Sequence, residues 1–135
     1  MSWETGDGEL RTLQALPAAD RAVHLVQLAA DWDEVWGLQD DRGWVVSKEM
    51  DAFPLWPHPE LARACARGNW EGAEPAPIAL EDLLEDLLPL LAEDALRVAL
   101  FPTPEDPGLL LAPGELRQRL QEELELGLDT ASSEL

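Results

Sequence analysis

The sequence predicts an α+β fold with two αββα-like halves, whose hairpins form one antiparallel sheet of about four strands covered by helices. Three observations support this prediction. Apolar residues recur at helical spacing over residues 17–32, 80–93 and 114–126. Short apolar runs flank turn residues at two places. The order helix, strand, turn, strand, proline-containing joint, helix occurs twice, with "PHPELARAC" and "APGELRQRL" opening the last helix of each half.

The first half begins with the helix of residues 17–32 and continues into "EVWGLQDDRGWVVS", two β-like runs around an Asp/Gly turn. A three-residue loop over 41–43, with Gly43 in the left-handed conformation, would pair Asp40 with Trp44. A four-residue loop would send Trp44 to the other face. We prefer the three-residue loop because it gives the cleaner apolar face. That face comprises Trp36, Leu38, Trp44 and Val46.

The joint "LWPHPEL" connects this hairpin to a short helix of residues 60–67. Residues 48–57 are expected to be irregular or a short edge strand, because their prolines cannot donate to a ladder. Trp56 and His58 each precede a proline, which favours an extended backbone. Pro59 suits the first position of the helix, and this makes His58 the cap residue.

The second half begins after "GNWEGAEPAP", which is predicted to be a loop. The helix of residues 80–93 has a leucine stripe and an acidic outer face, and Pro89 should interrupt it near Leu88. "ALRVALFP" and "GLLLAP" are predicted strands, linked by "TPEDPG". The last helix covers residues 114–126.

Length and composition indicate a single domain. We expect a disordered N-terminus over 1–8, one α+β domain over 9–126 and a frayed acidic tail over 127–135. No stretch has the roughly 18 consecutive apolar residues of a membrane span, and the acidic N-terminus is unlike a secretory signal. The single Cys65 excludes an internal disulfide and a cysteine-based metal cage. We therefore expect a cytoplasmic protein.

The charge is strongly negative: nine basic residues oppose 28 acidic ones, for a net charge of −19. Such a surface repels the phosphates of nucleic acids and anionic lipids, so neither is an expected partner. It attracts a basic protein. Solubility or adaptation to a salty cytoplasm explains the same composition equally well.

The motifs of common enzyme classes are absent from the sequence. There is no phosphate-binding glycine loop, no dinucleotide fingerprint and no zinc-protease motif. The many carboxylate pairs fall on a solvated helix face, which does not favour acid–base catalysis. We therefore predict no catalytic residue, no metal ligand and no cofactor, and we expect that the chain is not an enzyme.

Two groups of residues are candidates for binding. Trp56 and His58 are candidate ligand-binding residues, although structural roles as a core tryptophan and a capping histidine explain the same sequence. His24 is explained by a surface pair with Asp20, and Cys65 by burial as a small hydrophobic residue. The candidate partner-binding residues are Trp70, Glu81, Asp82, Glu85 and Asp86.

The stretches "EVWGLQDDRGW", "FPLWPHPELARACARGNW" and "EDALRVALFPTP" resemble an uncharacterised bacterial group, the domain-of-unknown-function family 2750. The resemblance covers residues 21–124 and is most specific at 56–58 and 101–104. It implies a small cytosolic α+β protein with no assigned activity, and it supplies no catalytic residues.

The sequence leaves three interpretations of the protein's function open. The first is a non-enzymatic interaction or inhibitor module for a basic protein, such as a nuclease-type toxin. The second is a small ligand-binding domain or enzyme with a pocket near Trp56, His58 and residues 101–104. In the third, the acidity serves only solubility or salt adaptation. The sequence does not define the oligomeric state.

Overall fold

The computed structural model describes residues 7–133, with the side chains of residues 11–68 and 70–125. Residues 1–6 of the expected disordered N-terminus and the last two residues of the expected frayed tail lie outside this part. The helices are α1 Asp7–Ala15, α2 Ala18–Trp32, α3 Pro59–Ala64, a 3₁₀ turn Gly68–Trp70, α4 Leu80–Asp82, a π-helical segment Leu83–Leu87, α5 Leu88–Glu93 and α6 Pro113–Ser133. The strands are β1 Glu34–Asp40, β2 Gly43–Trp44, β3 Ala52–Leu55, β4 Glu74–Ala79, β5 Arg97–Leu100 and β6 Leu109–Leu111.

The fold is α+β, as predicted, but its strands form two three-stranded sheets with the orders β2-β1-β4 and β3-β5-β6. The prediction of one antiparallel sheet is therefore wrong, and β3 and β5 are moreover parallel. The predicted loop "GNWEGAEPAP" contributes β4, which pairs with β1 over residues 34–39. Pro75 and Pro77 are tolerated there because β4 is an edge strand, where a missing N–H need not face a partner.

An isolated bridge between Trp36 of β1 and Trp56, the residue after β3, connects the two sheets. Each of these tryptophans donates its backbone N–H to the other's carbonyl oxygen at 2.8 Å. Ser47 and Ala52 form a second bridge beside it. Trp56 therefore connects the first hairpin to the parallel strands.

The register of the first hairpin differs from the prediction. Asp40 pairs with Gly43 and Gln39 with Trp44, so the loop has two residues rather than three. Trp44 consequently lies on the opposite face from Trp36, and the predicted cluster of four apolar residues is wrong. Trp44 is partly exposed and covers Gly37, where a Cβ atom would lie 2.9 Å from the indole ring. The absence of a side chain at Gly37 makes room for this packing.

The core lies between sheet β3-β5-β6 and the helices α2 and α6, which also pack against each other. Phe53, Leu55, Val98 and Leu100 supply the buried side chains of this sheet face. The largest fully buried side chains of the described residues are Trp56, Phe101, Leu25, Leu38, Leu55, Leu61, Leu83, Leu88, Leu100, Leu116, Leu120 and Val35. Helix α6 extends beyond the predicted end at residue 126 and reaches Ser133.

The interruption predicted near Leu88 takes the form of the π-helical segment Leu83–Leu87. The N–H of Leu88 donates to the carbonyl of Leu83 instead of that of Leu84. Pro89 follows and has no N–H to donate, so the carbonyl of Leu84 has no partner within the helix. Arg117 of α6 donates its Nη2 to this carbonyl and ties α6 to the interrupted helix.

Candidate functional site

Trp56 is the buried centre of the proline-rich joint. Its side chain has no exposed surface, and its Nε1 donates to the carbonyl of Pro102 at 2.9 Å. The ring of Trp70 meets it edge-on, with centroids 6.3 Å apart. Trp56 is therefore buried beneath the surface of the joint, which is the position expected of a core tryptophan.

His58 occupies the cap position of α3 with an extended backbone, as predicted. Its side chain makes no capping hydrogen bond, so the expected capping role is not observed. Its half-buried ring instead lies 6.0 Å from the ring of His24. His24 in turn lies 6.4 Å from the ring of Phe101, so it faces inward rather than serving only as a surface partner of Asp20. The fold therefore brings the two histidines together between α2 and the joint.

Arg21 is the buried charged residue of this region, with 4% of its surface exposed. Its Nε donates to the carbonyl of Phe101 at 3.0 Å, and its Nη1 donates to the carbonyl of Leu16 at 2.6 Å. Its Nη2 forms an ion pair with Asp106. One guanidinium therefore holds α2 to both ends of the loop that follows β5.

The loop from Phe101 to Gly108 is tightly constrained. Phe101 has a φ of 54°, which turns its ring toward α2, where Arg21 lies 5.8 Å from the ring centroid. The carbonyl of Pro102 accepts hydrogen bonds from Trp56 and from the thiol of Cys65, the latter at 3.4 Å. Gly108 has a φ of 87°, and a Cβ atom there would lie 2.6 Å from the carbonyl oxygen of Leu100. The positive φ of Phe101 is a strained conformation for a residue other than glycine, and such strain persists only where surrounding contacts impose it.

A cavity of about 450 Å³ lies beside this loop. Pro54 and Ala99, which pair across β3 and β5, line it on the sheet face away from the core helices. Trp70 lines it too, whereas Trp56 and His58 do not. A cavity therefore lies near residues 101–104, where a pocket was predicted, but neither of the two residues proposed to bind its ligand lines it.

Cys65 also lines the cavity and is nearly buried, as predicted. Burial raises the pKa of its thiol to about 11, although a hydrogen bond with Trp56 and the charges of Arg67 and Arg21 act in the opposite direction. The thiol is therefore protonated at neutral pH. A protonated thiol is a weak nucleophile, and this gives Cys65 a packing role.

The four acidic candidates lie together on the helical segment of residues 80–87 and are all exposed. We call Glu81, Asp82, Glu85 and Asp86 the acidic ridge. A hydrogen bond with Glu81 raises the pKa of Glu85, and repulsion from Glu81 acts in the same direction. Trp70 belongs to the cavity wall, where its half-buried ring packs on Trp56.

Among the residues that the structure describes, no group of three or more His, Cys, Asp or Glu side chains is arranged to hold a metal ion. None of the helices in the same part of the chain combines the length and the apolar character needed to cross a membrane.

The family model described as "Protein of unknown function (DUF2750)" matches residues 22–120, which is most of the chain. The chain belongs to the DUF2750 family. This confirms the resemblance seen in the sequence. No curated protein matches the chain, and no solved structure matches it either.

The DUF2750 segment contains both sheets, the joint, the cavity and the acidic ridge, whereas α1 and Arg21 precede it. Arg21 is the residue of this region that the sequence analysis missed. A signal was available, because Arg21 lies four residues before Leu25 and seven before Leu28 on α2. A cation on the apolar stripe of a helix indicates a buried polar partner, here Asp106 and two carbonyls.

Proposed function

We propose that this DUF2750 protein is a non-enzymatic interaction module that binds a basic protein through the acidic ridge. The observation that carries the proposal is the crowding of exposed carboxylates on one helical segment, which raises the pKa of Glu85. A raised pKa means that the ridge holds a proton more tightly than an isolated carboxyl group does. A cationic side chain relieves the same repulsion.

The surface next to the ridge suits contact with another protein. Pro89 and Leu90 of α5, three and four residues after Asp86, are exposed, and 52% of Leu90 is accessible. The exposed Glu93 and Asp94 follow. An apolar patch bordered by like charges fits a partner that presents lysines or arginines around an apolar contact, and the charges raise the rate of encounter.

The competing interpretation is that the acidity serves only solubility. Exposed carboxylates also lie on the hairpin turn at Asp41, on α3 at Glu60, before β4 at Glu71 and on β4 at Glu74. If net charge alone matters, a basic partner binds these regions as readily as the ridge. The distribution of binding over the surface therefore separates the two interpretations.

A peptide titration tests the proposal. An oligoarginine peptide is added to ¹⁵N-labelled protein, and the amide shifts are followed at low salt and at about 1 M salt, where the Debye length is about 3 Å. We expect shifts concentrated in residues 81–94 at low salt and a loss of binding at high salt. Equal shifts around Asp41, Glu60, Glu71 and Glu74 would reject the ridge as the binding face and support the solubility interpretation.

Glu85→Gln should raise the melting temperature at neutral pH. Because the pKa of Glu85 is raised in the folded protein above its ordinary value of 4.5, the folded state holds this proton more tightly than the unfolded state. The resulting stability is present below pH 4.5 and is lost as the pH rises through the folded pKa. The gain of the variant should therefore vanish at acidic pH, as measured by thermal unfolding across pH. Glu71→Gln is the control, and an equal gain in that variant would show that net charge rather than crowding is responsible.

A further inference from the structure

We propose that the cavity beside the loop of residues 101–108 binds a small zwitterion, a molecule with a carboxylate and an ammonium group attached to an apolar body, as in an apolar amino acid. This site lies apart from the residues of the acidic ridge and does not depend on the function proposed for them. Its volume of about 450 Å³ falls within the range of about 300–1,000 Å³ that small-molecule sites occupy.

The apolar part of the ligand is indicated by the surface of the cavity. Pro54 and Ala99 have small side chains, and this leaves a depression on their sheet face. Trp70 and Met50 also line the depression and offer a flat ring and a flexible thioether. Together these side chains match an aliphatic or aromatic group.

The charged part is indicated by two residues with opposite charges. Arg67 lines the cavity, is exposed and forms no ion pair with any of the described carboxylates. Glu105 lines it too and is exposed, and its backbone N–H donates to the hydroxyl of Thr103 at 3.3 Å. Arg67 suits a carboxylate and Glu105 an ammonium group.

The remaining acidic residue of the cavity is already engaged. Asp106 forms the ion pair with Arg21 and accepts a hydrogen bond from the backbone N–H of Gly108 at 2.9 Å. The charges left for a ligand are therefore one cation and one anion among the lining residues. A ligand with only negative charge is repelled by Glu105, and one with only positive charge is repelled by Arg67.

The backbone on both sides of the site is also held in place by contacts within the protein. The contacts of Arg21, Trp56 and Gly108 fix the backbone of the loop that carries Glu105. Arg67 and Trp70 follow α3 in a short segment that contains the 3₁₀ turn, and the N–H of Trp70 donates to the carbonyl of Arg67 at 2.9 Å. A backbone that is already fixed loses little conformational entropy on binding.

The test uses three probes of similar size: phenylalanine, 3-phenylpropionate, which lacks the ammonium group, and phenethylamine, which lacks the carboxylate. Binding is measured from amide shifts of the full chain, which should concentrate in residues 65–70 and 102–106. We expect phenylalanine to bind about tenfold more tightly than either analogue, the loss of one charged hydrogen-bonding partner in each case.

Two substitutions make the test specific. Arg67→Gln should weaken phenylalanine binding about tenfold and tighten phenethylamine binding, because it removes a like charge, whereas Glu105→Gln should weaken phenylalanine binding and tighten 3-phenylpropionate binding for the same reason. Arg63→Gln and Glu71→Gln remove the same charges from exposed positions outside the cavity and should have no effect. Absence of binding by all three probes, equal binding by all three, or shifts located elsewhere would overturn the proposal. None of these results bears on the acidic ridge.

Discussion

Trp56→Ala is expected to lower the free energy of unfolding by about 3–5 kcal/mol, the cost of truncating a buried aromatic residue. The indole is fully buried, packs against Trp70 and donates to the carbonyl of Pro102. Its backbone also forms the bridge to Trp36 that joins the two sheets. Urea unfolding followed by circular dichroism measures the effect.

A second variant separates the hydrogen bond of Trp56 from its packing, and a third serves as a control. Trp56→Phe keeps most of the packing but removes the indole N–H, and it should cost about 1 kcal/mol for the hydrogen bond beyond any loss of volume. Trp32→Ala is the control, because 45% of that side chain is exposed. An unchanged unfolding midpoint in Trp56→Ala would contradict the buried position of this residue and favour a direct role in ligand binding.

Arg21→Met should lower the free energy of unfolding by about 3 kcal/mol, because it leaves the buried carbonyl of Phe101 without its donor and Asp106 without its cation. Methionine keeps much of the apolar volume of the arginine stem, so the effect reports lost polar contacts. Denaturant unfolding at neutral pH provides the measurement.

The control for Arg21 is Arg42→Met, an exposed arginine in the hairpin turn, which should change stability by less than about 0.5 kcal/mol. Asp106→Asn should cost less than Arg21→Met, because Arg21 retains its two carbonyl partners. If Arg21→Met and Arg42→Met unfold at the same denaturant concentration, the loop of residues 101–108 is held by other contacts.

The helices could be predicted because their signal is local. Leucine spacing and proline positions placed α2, α3 and α6 and the interruption before Pro89, since each depends on residues within a few turns. The missing helical hydrogen-bond partner before Pro89 even explains why Arg117 is needed at the carbonyl of Leu84. Helix α1 was not predicted, α3 ends at Ala64 rather than at residue 67, and α6 extends beyond residue 126; helix ends are weakly specified by sequence.

The sheet arrangement could not be predicted because it depends on distant pairs. β4 contains Pro75 and Pro77, which favour a loop until the edge position of the strand is known. The hairpin register depends on Trp44 packing over Gly37 and against Phe53, whose ring lies 5.8 Å away. The parallel pairing of β3 with β5 joins segments more than forty residues apart.

The candidate site was likewise predictable where its residues are adjacent in the sequence and not where they are distant. The joint around Trp56 and the acidic face of residues 81–86 were visible in the sequence, because each is a short continuous stretch. The position of the cavity near residues 101–104 was predicted, but its other lining residues were not, because Pro54, Arg67, Ala99 and Glu105 come from four separate segments. His58, which the sequence analysis had placed near the pocket, does not line the cavity.

The central claim is that the acidic ridge, rather than net charge, selects a basic partner. The most direct measurement compares how fast an oligoarginine peptide associates with two variants, each of which takes the net charge from −19 to −15. One variant neutralises the ridge as Glu81→Gln, Asp82→Asn, Glu85→Gln and Asp86→Asn. The other neutralises exposed residues elsewhere, as Asp41→Asn, Glu60→Gln, Glu71→Gln and Glu74→Gln.

We predict that the ridge variant loses association rate about tenfold at low salt, whereas the matched variant stays close to the original chain, because steering depends on where charges are concentrated. The difference should disappear at high salt, where the field is screened. Equal association rates for the two variants at low salt would contradict the claim and leave the acidity as a property of the whole surface.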